Sequence, residues 1–163
     1  MNNLKKSNTN LLKPFLCGIL ISGIMVSSMT FTNAASFSTG PVSYYTANGI
    51  TYNTYNTIYT GKNAYNQKYA NAMMTANAKN QAIIPAGWAG TLPILYNSSG
   101  TAVKTGDWTY SSSGSSGLGS TISYTGFTNS DSYYAKGITR AWNGSDYWTY
   151  SSSKSPNLND FTV

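Results

Sequence analysis

The sequence predicts an all-β protein, a single antiparallel β-sandwich or barrel-like domain. Tyr, Thr, Ser, Asn and Gly dominate its composition, whereas Leu, Glu and Lys, which favour exposed helices, are scarce. Disorder would show a similar polar bias, but disordered segments are poor in aromatic residues, and 14% of this chain is aromatic. Short β-branched and aromatic runs separated by Gly, Pro, Asn and Ser clusters are a third indication of strands joined by turns.

The N-terminal segment predicts export. Residues 1–13 carry three lysines and no acid, an apolar run extends from Phe15 to Val26, and small residues lead to Ala34 and Ala35. This order is typical of a secretory signal peptide, and the apolar run is shorter than the roughly 20 residues that span a bilayer. We therefore expect a secreted (extracellular) protein with no stable membrane anchor, cleaved after Ala34 or Ala35.

Cleavage of residues 1–35 leaves residues 36–163, which is the size of one domain. We expect its ordered core at about 48–150 and a polar tail at 151–163. The only cysteine, Cys17, lies within the predicted signal peptide, so no disulfide is expected in the secreted domain.

The first long strand is predicted at Ile50–Thr60, which is β-branched and aromatic throughout and is bounded by glycines. Alternation places Tyr52 and Ile58 on one face of this strand. Tyr55 and Tyr59 then lie on the opposite face.

The segment 63–80 fits two structures. Helical spacing connects Tyr65, Tyr69, Ala72, Met73 and Ala76. The alternation of Ala70, Ala72, Met74, Ala76 and Ala78 instead fits a strand with small inward residues. We favour the strand because the neighbouring segments are all predicted to be β structure.

Further strands are predicted at Trp88–Tyr96, Thr101–Lys104, Trp108–Tyr110, Thr121–Tyr124, Tyr133–Trp142 and Tyr147–Tyr150. Pro93 makes the first of these an edge strand or a kinked strand, because proline cannot donate a ladder hydrogen bond. Turns are expected at Asn97–Gly100 and Asn143–Asp146, and a Ser/Gly loop is expected at Ser111–Ser120.

Beyond residue 35 the chain contains no histidine, cysteine or glutamate. Its acids are four aspartates in turn-like contexts: Asp107, Asp131, Asp146 and Asp160. Because most hydrolytic, redox and metal chemistry uses His, Cys or paired carboxylates, we expect no catalytic residues, no metal site and no cofactor. The basic residues of the predicted domain are scattered without a run, so no nucleic-acid partner is expected.

A hexapeptide is repeated in the sequence: Trp108–Ser113 recurs as Trp148–Ser153. One interpretation is two equivalent ligand platforms, since an aromatic ring beside hydroxyls suits the face of a sugar. The other is two similar hairpin strands with their tryptophans in the core, where large aromatic residues contribute most by burial.

The residues that we expect to contact a ligand are Trp88, Trp108, Tyr110, Trp142, Trp148 and Tyr150. They predict a non-catalytic binding or surface-interaction protein whose partner is the cell wall, a glycan or a target-cell surface. Such a binder requires an exposed aromatic row on one face of a sheet. Burial of all four tryptophans would remove this platform.

Several short segments carry a resemblance to other proteins: residues 84–90, residues 95–100, Tyr133–Gly137 and Ala141–Gly144. In these the chain resembles small secreted proteins of unknown function from Gram-positive bacteria, which implies export and a shared β fold. It is similar, more loosely, to secreted β-sandwich bacteriocins of the lactococcin type. That likeness implies the alternative function, a bacteriocin-like secreted antimicrobial protein.

Overall fold

The computed structural model describes residues 34–127 and 132–159. The predicted signal peptide therefore lies outside the described residues except for Ala34 and Ala35, which begin the first strand. Every strand pair in the described part is antiparallel, so the all-β prediction is confirmed.

The described strands are β1 (Ala34–Thr39), β2 (Ser43–Ala47), β3 (Ile50–Lys62), β4 (Lys68–Ala78), β5 (Ala89–Leu92), β6 (Ile94–Asn97), β7 (Ala102–Thr105), β8 (Thr109–Tyr110), β9 (Gly117–Tyr124), β10 (Tyr133–Ala135), β11 (Ile138–Trp142) and β12 (Tyr147–Ser151). A single 3₁₀ turn, Lys79–Gln81, follows β4.

The first layer is a five-stranded sheet built on the long hairpin of β3 and β4. The order is β1-β3-β4-β9, and β2 also pairs with β3. Since β1 pairs with residues 57–61 and β2 with residues 50–54, these two strands follow one another along the same edge of β3. Strand β4 confirms the strand prediction within 63–80, because its alanines at alternate positions are buried against the second layer.

The second layer consists of two small sheets, β12-β11-β5-β8 and β10-β6-β7. The pairing of the segment 89–97 with the segment 133–142 keeps one register across both sheets, from Ala89 opposite Ala141 to Asn97 opposite Tyr133. The two sheets are therefore halves of one layer that is interrupted across its middle. The layer packs face to face on the first sheet as a sandwich.

This interruption corrects two sequence predictions. The segment 88–96 is not one strand but β5 and β6, and the segment 133–142 is β10 and β11. Both β5 and β6 lie between two neighbours, so the edge position predicted from Pro93 is wrong. The alternative prediction was a kinked strand, whereas the structure divides the segment into two strands at Pro93. The two segments stay hydrogen-bonded past Pro93, because the Lys136 N–H donates to the Ile94 carbonyl oxygen at 3.0 Å. The Pro93 backbone faces the opposite neighbour, and its carbonyl oxygen accepts a hydrogen bond from the Gly106 N–H at 3.0 Å.

Each half of the second layer covers its own hydrophobic core. Under β5 and β11 the buried residues are Ala47, Tyr52, Ala76, Ala78, Ile84, Ala89, Leu118 and Ala141. Under β6 and β10 they are Ile58, Ala70, Ala72, Leu95, Tyr133 and Ala135. Between the two cores lies a polar region whose side chains are equally buried.

Asn56 of β3 is the centre of that polar region and is fully buried. Its Oδ1 accepts a hydrogen bond from the Gly137 N–H at 2.6 Å, and its Nδ2 donates to the Ser153 carbonyl oxygen at 2.7 Å and to the Ser152 hydroxyl. A Cβ at Gly137 would lie 2.5 Å from the Leu92 carbonyl oxygen, so only glycine fits there. One amide thus binds the interrupted second layer to the first.

Two further predictions differ from the structure. The predicted loop Ser111–Ser120 includes the first four residues of β9, which pairs with β4 from Gly117 opposite Asn77. The packed region also extends past residues 48–150. Strands β1 and β2 precede it, and in the tail Ser152 and Ser155 are buried.

We predict that Asn56→Ala lowers the free energy of unfolding by about 3 kcal/mol, because it removes the amide and leaves the Gly137 N–H and the Ser153 carbonyl unpaired. Urea denaturation of the purified protein measures this change. Asn71→Ala is the matched control, since Asn71 is equally buried but its Oδ1 has no hydrogen-bond partner. An equal loss in both variants would contradict the role given to Asn56.

Candidate functional site

The outward face of the second layer is defined by the alternation along β11. Thr139 and Ala141 are fully buried against the first layer, whereas Ile138, Arg140 and Trp142 are half-buried on the other side. Strand pairing then extends a row across the sheet. Gly90 of β5 lies opposite Arg140, and Tyr110 of β8 lies opposite Gly90.

The side chain of Arg140 is enclosed by aromatic rings. Its Cζ lies 3.5 Å from the centroid of the Trp108 ring, 5.7 Å from that of Tyr110 and 5.8 Å from that of Tyr147. These distances are within the range of attraction between a cation and the face of an aromatic ring. Together with Trp142, whose ring centroid is 5.4 Å from that of Tyr147, these residues form what we call the Arg140 cluster.

Two features hold the rings of the Arg140 cluster in place. Gly90 leaves room for them, because a Cβ at this position would lie 3.1 Å from Tyr110 Cε1 and 3.2 Å from Arg140 Cγ. The Tyr147 hydroxyl donates a hydrogen bond to the Gly87 carbonyl oxygen at 2.5 Å. The Arg140 cluster is therefore held in place by contacts within the protein itself.

Arg140 is the only arginine of the chain, and it has no ion pair among the described residues. Its Nε is buried without a hydrogen-bond partner. The carboxylate of Asp146, an exposed residue in the turn before β12, accepts a hydrogen bond from the Tyr147 backbone N–H at 2.7 Å. The Nε is closed to solvent, but the half-buried side chain of Arg140 makes no hydrogen bond to another described residue, so its Nη groups keep their donors. The planar guanidinium suits a carboxylate or phosphate.

The structure separates the six aromatic candidates. Trp108, Tyr110 and Trp142 lie together in the Arg140 cluster. Trp88 packs against the core under β5 and β11. Trp148 is 55% exposed and lies outside the cluster.

Tyr150, the sixth candidate, lies on the inward side of β12. Its ring stacks on that of Tyr45 with a centroid distance of 3.8 Å and an angle of 7° between the planes. Sequence reasoning missed Arg140 and Tyr147. The available signal was alternation, which puts Arg140 on the same face as Trp142.

The two copies of the repeated hexapeptide form opposite edges of one sheet, since β8 and β12 are the outer strands of the order β12-β11-β5-β8. They face opposite ways: Tyr110 lies opposite outward Gly90, whereas Tyr150 lies opposite buried Thr139. The copies are therefore not equivalent platforms. The core interpretation fails too, because neither Trp108 nor Trp148 is buried.

Asp107 and Asp146 are exposed in connections between strands, and Asp131 and Asp160 lie outside the described residues. Across residues 34–127 and 132–159, no group of three His, Cys, Asp or Glu side chains lies close enough to hold a metal ion.

Three stacked tyrosines beneath β11 have altered acidity. Burial raises the pKa of Tyr52 to about 12 and also raises the pKa values of Tyr45 and Tyr150. The hydroxyls of Tyr45 and Tyr52 are buried without hydrogen-bond partners. This stack therefore disfavours ionisation and supports the sheet through ring contact rather than through its hydroxyls.

No protein-family model, curated protein or solved structure matches this chain. The resemblances described from the sequence therefore stay predictions. Within the two described ranges, no helix is long and apolar enough to cross a membrane.

We predict that Tyr52→Phe leaves the protein at least as stable at neutral pH, because it removes a buried hydroxyl that lacks a partner. In the parent protein, stability falls as the pH rises from 10 to about 12, since the unfolded chain loses the Tyr52 proton first. The fall should be shallower in Tyr52→Phe. Denaturation midpoints across this range test it, with exposed Tyr65→Phe as the control. An unchanged slope would refute the assignment.

Proposed function

We propose that the protein is a secreted, non-catalytic binding protein that contacts a cell-wall glycan through the Arg140 cluster. The observation that carries this proposal is the stacking of Arg140 on Trp108 inside a group of aromatic rings on the outward face. Aromatic rings with a few fixed polar groups are the usual composition of a ligand site.

Each part of the cluster has a role in such a contact. Tyr110 is 40% exposed and offers its ring to the C–H face of a sugar. The Arg140 guanidinium donates hydrogen bonds to sugar or acid oxygens, with its plane already oriented by Trp108. The exposed hydroxyl of Thr149 lies opposite Arg140 in the sheet and adds a further donor and acceptor.

The composition of the cluster favours binding over bond cleavage. A nucleophile or general base needs a partner that shifts or accepts its proton. The cluster offers rings, one guanidinium and hydroxyls, and the neighbouring Asp146 carboxylate is engaged by a backbone N–H. The antimicrobial alternative stays a prediction, which growth inhibition of related strains by the purified protein would test.

We predict that Trp108→Ala weakens binding of the purified protein to isolated cell walls by roughly tenfold or more, because an aromatic anchor at the centre of a contact dominates its energy. Arg140→Lys should also weaken it, since lysine keeps the charge and loses the planar stacking. Cosedimentation with walls measures both effects.

Trp148→Ala is the matched control, because it removes an exposed tryptophan of the same repeated hexapeptide outside the cluster. Circular dichroism and urea midpoints establish that each variant is folded. Equal loss of binding in Trp148→Ala and Trp108→Ala, or no wall binding by the parent protein, would refute the proposal.

A further inference from the structure

A second group of aromatic rings and a cation lies at the other half of the second layer. Tyr96 of β6 and Tyr134 of β10 are paired residues whose rings stack with a centroid distance of 5.2 Å and an angle of 6°. The Lys154 Nζ lies 4.9 Å from the centroid of the Tyr134 ring. We call these three residues the Lys154 cluster.

The two clusters lie on the same face. Because the register between segments 89–97 and 133–142 is unbroken, alternation continues from Tyr134 to Trp142. The odd-numbered residues between them are buried, whereas Tyr134, Lys136, Ile138 and Arg140 keep exposed surface. Tyr134 and Arg140 are six positions apart, which corresponds to about 20 Å along a strand.

Each cluster combines a flat ring with a cation that has no ion pair among the described residues. Exposed Lys136 lies between them on the same face. A row of cations has no charged counterpart on a neutral sugar. It is electrostatically complementary to a polymer that carries one negative charge in each repeating unit. The relevant feature is the position of Arg140 and Lys154 over aromatic rings on one face, and not the net charge of the chain.

We infer that the Arg140 cluster and the Lys154 cluster bind one linear anionic polymer of the cell surface. Its repeating units offer sugar or polyol C–H groups to the rings and carboxylate or phosphodiester groups to the cations. This inference rests on the proposed function and extends it from one sugar-binding cluster to a two-cluster site for a charged chain. A single-stranded nucleic acid shares the charge, but the predicted export favours a surface polymer.

Titration calorimetry with defined polymers tests the inference. The probes are polygalacturonate, poly(glycerol phosphate) and an uncharged linear glucan of similar length, together with two-unit fragments of each anionic chain. The two anionic arms distinguish carboxylate from phosphodiester. We expect one long anionic polymer to bind at least roughly tenfold more tightly than its fragment, because it engages both clusters. Its affinity should fall as salt concentration rises.

Variants separate the two clusters. Tyr134→Ala and Lys154→Gln should each weaken binding of the long anionic polymer about tenfold and leave the fragment unaffected. Trp108→Ala should weaken both. Tyr44→Ala is the control, because Tyr44 is a 65% exposed tyrosine on a strand of the first layer.

The outcomes keep the two proposals distinct. If Trp108→Ala weakens binding and Tyr134→Ala does not, the Lys154 cluster is no part of the site and the proposed function stands. If the uncharged glucan binds as tightly as both anionic polymers, the assignment of an anionic ligand is wrong and the proposed function stands. If oligo(dT) binds more tightly than every glycan, the polymer class is wrong. Absence of binding to all glycans and to cell walls overturns both proposals.

Discussion

The buried amide of Asn56 is the interaction on which the arrangement of the second layer depends. Gly137 lies between β10 and β11, where its N–H has no ladder partner and donates to Asn56 Oδ1 instead. The Ser152 hydroxyl donates to the Gly137 carbonyl oxygen at 3.3 Å, so both backbone polar groups of Gly137 have a hydrogen-bond partner. Buried backbone groups require such partners, because an unpaired one costs as much as a lost hydrogen bond.

This junction also sets the geometry of the outward face. Gly137 lies between Tyr134 and Arg140, so the position of its backbone determines how the Lys154 cluster is placed relative to the Arg140 cluster. Asn56 belongs to the longest strand of the first layer. It pairs with Met74 of β4 on one edge, and on the other edge its carbonyl oxygen accepts a hydrogen bond from the Gly40 N–H at 2.8 Å. A rigid strand inside the sandwich therefore aligns two groups of rings outside it. A site supported in this way needs little rearrangement on binding.

The sequence predicted those elements whose patterns are local. Strand β3 and the inward face of β4 follow from alternation, and their burial agrees with it. The hydrogen bond between Gly137 and Asn56 could not be predicted in this way, because alternation continues through Gly137 and its partner lies 81 positions away in the chain. The faces on which Tyr110 and Tyr150 lie could not be predicted either. The two hexapeptides are identical in sequence, and the face of each tyrosine depends on the residue with which it pairs in the sheet.

The distribution of large and small side chains explains why rings are available on the surface. The inward face of β4 is mostly alanine, and its Ala70, Ala72 and Ala76 are completely buried. Small residues let the layers approach closely: a Cβ at Gly137 would lie only 2.8 Å from the Cβ of Met74 in the first layer. None of the four tryptophans is buried, although burial is where a large ring contributes most to stability. The fully buried core is thus built from other residues, and Trp108 and Trp142 keep exposed surface for the contact that we propose.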